Sequence, residues 1–177
     1  QDIQTYAKVT MSESELSYGS FNPSTMVIQL VNDMTRTASV PLKFKFAEGL
    51  PQYVSGPEHE IRLILSKIIH NALKFTQSGG VFVFLTSEVV DDATIRLTFK
   101  IVDSGPGIDP ETLKNGKIFS AFTQGDSSLS RSHEGLGLGL ALCKTLAERM
   151  GGELEVESEL GKGTRFHFSV DLHSEEH

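Results

Sequence analysis

Residues 138–172 read LGLALCKTLAERMGGELEVESELGKGTRFHFSVDL. Leu138 to Met150 reads as a helix, and Gly151-Gly152 ends it, since paired glycines stop a helix. Two runs follow, Glu153–Ser158 and Thr164–Leu172, in which apolar and polar residues alternate as in half-buried strands. Glu159-Leu160-Gly161-Lys162-Gly163 joins them as a turn. A helix followed by a hairpin places the chain in the α+β class. Upstream, Asn22-Pro23 opens a helix carrying Met26, Ile28, Leu30, Val31 and Met34, and Ser17–Phe21 reads as a short strand before it. Pro41–Ala47 alternates as a strand, and Pro57-Glu58 starts a long helix that runs to about Thr76. Gln77-Ser78-Gly79-Gly80 stops that helix, and two β-rich runs, Val81–Thr86 and Thr94–Asp103, come next, separated by Asp91-Asp92. The sum is about three helices and about five strands, predicting an α+β sandwich.

At 177 residues the chain fits one domain, perhaps with an appendage, and its 38% hydrophobic and 22% charged residues exclude wholesale disorder. There is no apolar run of the roughly 20 residues that a membrane helix needs. The segment QDIQTYAKVT has no apolar signal core, and a single cysteine, Cys143, cannot make an intrachain disulfide. These features lead to the expectation of a soluble, cytoplasmic domain without membrane contact. A formal charge of −7 argues against a nucleic-acid partner, which needs a basic surface. It leaves room for a small anionic ligand held by backbone amides and a few cations. The polar, Gly-rich stretch 104–136, with a short helix possible after Pro110, is long for a compact domain, and such loops are usually functional.

Several motifs carry candidate chemistry. On the helix 58–76, Lys67, Asn71 and Lys74 line up at i, i+4 and i+7 beside the apolar face of Ile61, Ile64, Leu65, Ile68 and Ala72. Taken alone they fit a solvated face better than a ligand site. In Asp103-Ser104-Gly105-Pro106-Gly107-Ile108 a carboxylate ends a strand and glycines follow at once. It can accept a hydrogen bond from a heterocycle's amino group, or it can simply cap a tight turn. Gly135-Leu136-Gly137-Leu138-Gly139-Leu140-Ala141 opens a helix, an arrangement that offers N–H donors to phosphate. It matches neither the dinucleotide GxGxxG pattern nor a Walker loop, and Gly161-Lys162-Gly163-Thr164 also fails the Walker pattern and defaults to a hairpin turn.

In order, Asn71-Ala72-x-Lys74-Phe75-Thr76, DSGPGI, Phe119/Phe122, GLGLGLA and GKGT resemble the N, G1, F and G2 boxes and terminal hairpin of the catalytic, ATP-binding domain of sensor histidine kinases. That domain belongs to the gyrase/Hsp90/histidine kinase/MutL ATPase superfamily, and the likeness covers about Asn22 to Leu172. It implies the two-layer sandwich of that superfamily, a mixed, mostly antiparallel sheet on three helices, and ATP with Mg²⁺ as its ligands. The resemblance implies that Asn71 coordinates Mg²⁺, that Lys74 meets phosphate, and that Asp103 accepts from the adenine amino group. Gly105, Gly107 and Ile108 would shape the pocket floor, and Thr164 would complete it. Amides around Gly135, Gly137, Leu138 and Gly139 would cradle phosphates under a lid spanning 123–134, with Arg131 as a phosphate contact. Phe119 and Phe122 would anchor the lid, or equally be plain core residues.

The departures are specific. Hydrolytic relatives carry a Glu four residues before the Asn matching Asn71, and here that position is Lys67. A lysine, protonated at pH 7, does not take a proton from water. This argues against a hydrolytic ATPase and for delivery of the γ-phosphate to a histidine elsewhere. Leu136 stands where Thr is common. His59-Glu60-Ile61-Arg62 mimics the phosphoacceptor box but shares a helix with Asn71, so His59 reads as an incidental helix-start residue. The expected partners are the kinase's dimerisation and phosphoacceptor domain and the receiver domain of a response regulator. The expected organisation is the end of a dimerisation helix and linker over 1–16, the ATP-binding domain over 17–172, and a tail over 173–177. The alternative is a degenerate nucleotide-binding fold that acts in protein–protein signalling without phosphoryl transfer; Lys67 and Leu136 are its support.

Overall fold

The computed structural model describes residues 18–107 and 136–175. In chain order these form β1 (Gly19–Phe21), α1 (Pro23–Thr35), β2 (Leu42–Phe46), β3 (Val54–Gly56), α2 (Glu58–Phe75), β4 (Val81–Val89), β5 (Thr94–Asp103), α3 (Leu136–Arg149), β6 (Glu153–Glu159) and β7 (Gly163–Ser174). The strands make one mixed sheet in the order β1-β3-β7-β5-β4-β2, with β6 also paired to β7. Only β2 and β4 run parallel; the other pairs are antiparallel. The α+β sandwich expected from sequence is present, with seven strands among the described residues where about five were expected. The strand that no run of the sequence marks is β3, whose three residues are too few to show alternation. It is held by pairing on both sides, to β1 and to the end of β7. Pairing of His173 and Ser174 with Ser55 and Val54 also carries β7 past Leu172, where the sequence suggested a tail.

Local chemistry sets the helix boundaries. The Asn22 side chain accepts from the Thr25 N–H at 3.0 Å, and Pro23 follows, so α1 begins with one of its orphan donors satisfied. Glu58 and Glu60 lie in the first turn of α2 and Lys74 in its last, in accord with the helix dipole. Arg62 reaches Glu58 at 2.8 Å and Gln29 at 3.1 Å, linking α2 to α1. Helix α3 starts at Leu136, two residues earlier than its apolar pattern suggested, so Gly137 and Gly139 lie within its first turns.

The helices cover one face of the sheet. Ile61, Ile64, Leu65, Ile68, Ile69 and Ala72 of α2 and Leu140, Leu142, Cys143, Leu146 and Ala147 of α3 are buried. They pack over the alternate sheet residues Val83 and Leu85, Leu97, Phe99 and Ile101, and Phe166, Phe168 and Val170. Phe99 and Phe168 lie in register and stack at 5.9 Å in the middle of this layer. The opposite positions of the same strands form a more polar face. There Arg96 and Asp171 make an ion pair at 2.7 Å, and Lys100 lies over the Phe84 ring at 5.4 Å. Among the described residues no helix is long and apolar enough to cross a membrane.

Candidate functional site

At one end of the sheet the buried face changes chemistry. Register aligns Val83, Ile101, Phe166 and Val156 across β4, β5, β7 and β6, an apolar row under the helices. Two residues further along, the next row on the same face reads Val81, Asp103, Thr164 and Ser158. The period of two that buries Phe99 and Ile101 therefore carries Asp103 to the same face. It arrives there beside the C-terminal end of α2.

Asp103 is held by backbone. Its Oδ1 accepts the Gly105 N–H at 2.9 Å and the Thr164 N–H at 3.3 Å. Burial pushes its carboxyl above the ordinary carboxylate range, and these two N–H donors pull in the opposite direction without cancelling the shift. With both bonds on Oδ1, Oδ2 has no protein donor among the described residues. It can serve as an acceptor for a ligand. Thr164 is 6% exposed, and its Oγ1 lies 2.9 Å from Ser158 Oγ, which in turn donates to the Gly163 carbonyl at 2.9 Å.

The two loops at this end are tied together. The Gly161 N–H donates to the Pro106 carbonyl at 2.8 Å, joining the GKGT hairpin to the DSGPG turn. Ser104 Oγ donates to the Ser78 carbonyl and accepts the Gly80 N–H, each at 2.9 Å, fixing the same turn to the segment that leaves α2. Close approach leaves little room for a side chain at Gly105 and none at Gly163. A Cβ on Gly105 would lie 3.0 Å from Asp103 Oδ1, 3.1 Å from Thr76 Oγ1 and 3.2 Å from the Phe75 carbonyl oxygen. A Cβ on Gly163 would lie 2.0 Å from the Asp103 carbonyl oxygen.

Asn71, half-buried on α2, faces the beginning of α3: its Nδ2 would be 3.9 Å from a Cβ on Gly139. Lys74, one turn on, is exposed, with its Nζ 5.5 Å from the centre of the Phe75 ring. Lys67 is half-buried one turn before Asn71. The structure thus brings Asn71 to Gly139, and Asp103 to Gly105, Gly163 and Thr164; Gly107 packs against the Glu159 carbonyl of the hairpin. Ile108, Phe119, Phe122, Arg131 and Gly135 lie outside the described residues, as do the 123–134 stretch, the segment after Pro110 and residues 1–16. Gly137 and Leu138 are placed as backbone of α3. His59 is exposed in the first turn of α2, twelve residues before Asn71 and so about 18 Å away along the axis.

Three contributors escaped the sequence reading. Ser104 was visible inside DSGPG, but its role as a brace depends on Ser78 and Gly80. Ser158 becomes part of the site only through the β6–β7 register. Thr76, at the end of the Asn71 motif, lies beneath Gly105. A cleft of about 380 Å³ also adjoins Asp103. Its walls combine Val102, Glu157 and Arg165 of the helix-free face with Ser158 and Thr164 of the helix-covered face, so it opens at the sheet end beside the carboxylate.

Comparison with known proteins gives a consistent result. The family described as "Histidine kinase-, DNA gyrase B-, and HSP90-like ATPase" matches residues 56–174. Hybrid signal transduction histidine kinase B of Dictyostelium discoideum is 32% identical over 172 residues, covering 96% of this chain and 9% of that protein. Histidine protein kinase 1 of Candida albicans is 33% identical over 193 residues, covering 99% of this chain and 8% of that protein. The chain therefore spans under a tenth of the length of these two relatives. Among solved structures, full-length ShkA in complex with AMPPNP superposes with a TM-score of 0.81 at 31% identity, over 99% of this chain and 35% of that one. A mycobacterial sensor histidine kinase, MprB, shares the fold with a TM-score of 0.65 at 23% identity, over 89% of this chain and 99% of that one.

Proposed function

This chain belongs to the histidine kinase-, DNA gyrase B- and HSP90-like ATPase family, as a histidine kinase catalytic domain, and from that we propose that it binds Mg·ATP and delivers the γ-phosphate to a histidine on a separate dimerisation domain. The observation that carries the reading is the polar row at the sheet end. A buried carboxylate with one oxygen pinned by two backbone N–H groups presents its other oxygen as an acceptor. Such an acceptor suits the 6-amino group of adenine and opposes the 6-oxo group of guanine or hypoxanthine.

On this reading Thr164 and Gly105 fix the carboxylate and leave room for the base. Asn71 and the start of α3 then face the phosphates, where backbone N–H groups and the helix dipole favour negative charge. Lys74 adds a point charge near the same end of α2. A single amide oxygen suits Mg²⁺, which keeps waters and phosphate oxygens as most of its ligands, and no group of three or more His, Cys, Asp or Glu among the described residues offers a protein cage instead. Bound through Asn71 Oδ1, the ion would supply charge neutralisation of the triphosphate.

The chain's own contribution to transfer is positioning and electrostatics. An imidazole nitrogen of the acceptor attacks the γ-phosphorus, the bond to the β,γ-bridging oxygen breaks, and ADP leaves. The nucleophile needs no carboxylate base, which fits Lys67 one turn before Asn71. Receiver domains, in keeping with the hybrid name of the Dictyostelium relative, are the proposed destination of the phosphoryl group.

Titration calorimetry with a non-hydrolysable ATP analogue tests the reading. The wild type should bind, and added Mg²⁺ should tighten binding. Asn71→Ala should lose most of the Mg²⁺-dependent gain and keep the metal-free affinity within about threefold, since one ligand of several is removed. Absence of binding at millimolar analogue would instead favour the degenerate signalling module.

A further inference from the structure

Thr76 is 2% exposed, and its Oγ1 makes no hydrogen bond in the described structure. It is the one buried side-chain polar atom so placed among the described residues. Burying a hydroxyl without a partner is destabilising, so a threonine here is unfavourable for folding alone. A valine would fill the same volume without that cost.

The position of the hydroxyl gives it a use. Thr76 follows the last residue of α2, and its Oγ1 converges with Asp103 Oδ1 and the Phe75 carbonyl on the space beside Gly105. Two of these three groups can only accept hydrogen bonds; the hydroxyl is the one that can donate. The edge of adenine that carries the 6-amino group also carries ring nitrogens on either side of it, N1 and N7, and these are acceptors. A carboxylate that takes the amino hydrogen cannot satisfy them.

We propose that Thr76 is a specificity residue of the base pocket, its hydroxyl donating to a ring nitrogen beside the amino group, directly or through one water molecule. This rests on the adenine-binding reading above and adds the donor that Asp103 cannot supply. Thr164, whose hydroxyl already lies 2.9 Å from Ser158 Oγ, is less available for that role. The raised carboxyl of Asp103 is consistent with a dry pocket, where a satisfied polar contact discriminates most strongly.

The test uses three variants of the chain and three nucleotides. Wild type, Thr76→Val and Thr76→Ser are titrated with ADP, 1-deaza-ADP and 7-deaza-ADP, and their melting temperatures are measured without ligand. The wild type should prefer ADP over one of the deaza analogues by about 5–10-fold, the worth of one neutral hydrogen bond. Thr76→Val should bind ADP about 5–10-fold more weakly, should not distinguish that analogue from ADP, and should melt at the same temperature or higher. Thr76→Ser should restore the preference. Equal ADP affinity in wild type and Thr76→Val overturns the proposal, as does a lowered melting temperature in Thr76→Val with the analogue preference intact. If the wild type itself fails to bind ADP, the adenine reading falls, and this proposal falls with it.

Discussion

Asp103→Asn is expected to weaken adenine-nucleotide binding by at least about 100-fold while leaving the folded chain as stable as the wild type, or more so, at pH 7. The reason is orientation. The Gly105 and Thr164 N–H groups both point at Oδ1 and will hold the amide oxygen of an asparagine in that place. The NH₂ group is then presented to the ligand, donor against donor, and an acceptor becomes a repulsive element. The same geometry lowers the penalty for a 6-oxo purine, so the ratio of ADP to IDP affinity should fall sharply in this variant.

The stability half of that expectation follows from the carboxyl's titration. Burial raises its folded pKa above the ordinary value of 3.8, so the folded chain holds this proton to higher pH than the unfolded chain does. The stabilisation is complete below the unfolded value and is lost as pH rises through the folded one. At neutral pH the charged side chain is a cost that asparagine removes. Thermal melts should therefore show Asp103→Asn at or above the wild type at pH 7, with the gap narrowing as pH falls toward 4. A variant that melts lower than wild type at pH 7 would mean that the two N–H bonds outweigh the burial of charge.

Gly163→Ala should be the most damaging of the small substitutions for stability. Its φ of +124° is disfavoured for any residue with a side chain, and the added Cβ would meet the Asp103 carbonyl at 2.0 Å. Strained backbone and overpacking each cost on the order of 1–3 kcal/mol, so a loss near 3 kcal/mol or more is expected. For a chain of this size that corresponds to a fall of roughly 6–12 °C in melting temperature. Because the same contact sets the Thr164 N–H against Asp103, nucleotide binding should fall as well. Gly161→Ala is the internal control: φ is +81°, but nothing lies within 4 Å of its Cβ. There only the backbone cost of about 1–2 kcal/mol applies. Equal losses in the two variants would show that conformation, and not the approach to Asp103, makes glycine necessary at 163.

Much of this architecture was legible because it rests on periodicity. The helix of 58–76 and the hairpin of 153–172 announce themselves through long apolar patterns with glycine stops. Asp103 and Thr164 stand where patterned runs end or begin, whereas Asn71 lies inside a helix and is marked only by the resemblance of the whole motif series. What escaped depends on pairing between distant segments. β3 has three residues and exists because β1 and β7 flank it. Ser158 joins the site through register with Thr164, which in turn pairs with Asp103, 61 residues earlier in the chain. Thr76 stands in the sequence only as the last residue of the Asn71 motif, with no role of its own, because a threonine after a helix is ordinary. Its burial without a partner is a three-dimensional fact.

On the proposed reading, the row of Asp103 and Thr164 reads the 6-amino group of adenine. The most direct measurement is calorimetric titration of the wild-type chain with ADP and with IDP, which replaces that amino group by an oxo group. ADP should bind, and because two acceptors would face each other, IDP affinity should be lower by about 100-fold. Equal affinity for the two nucleotides would contradict it.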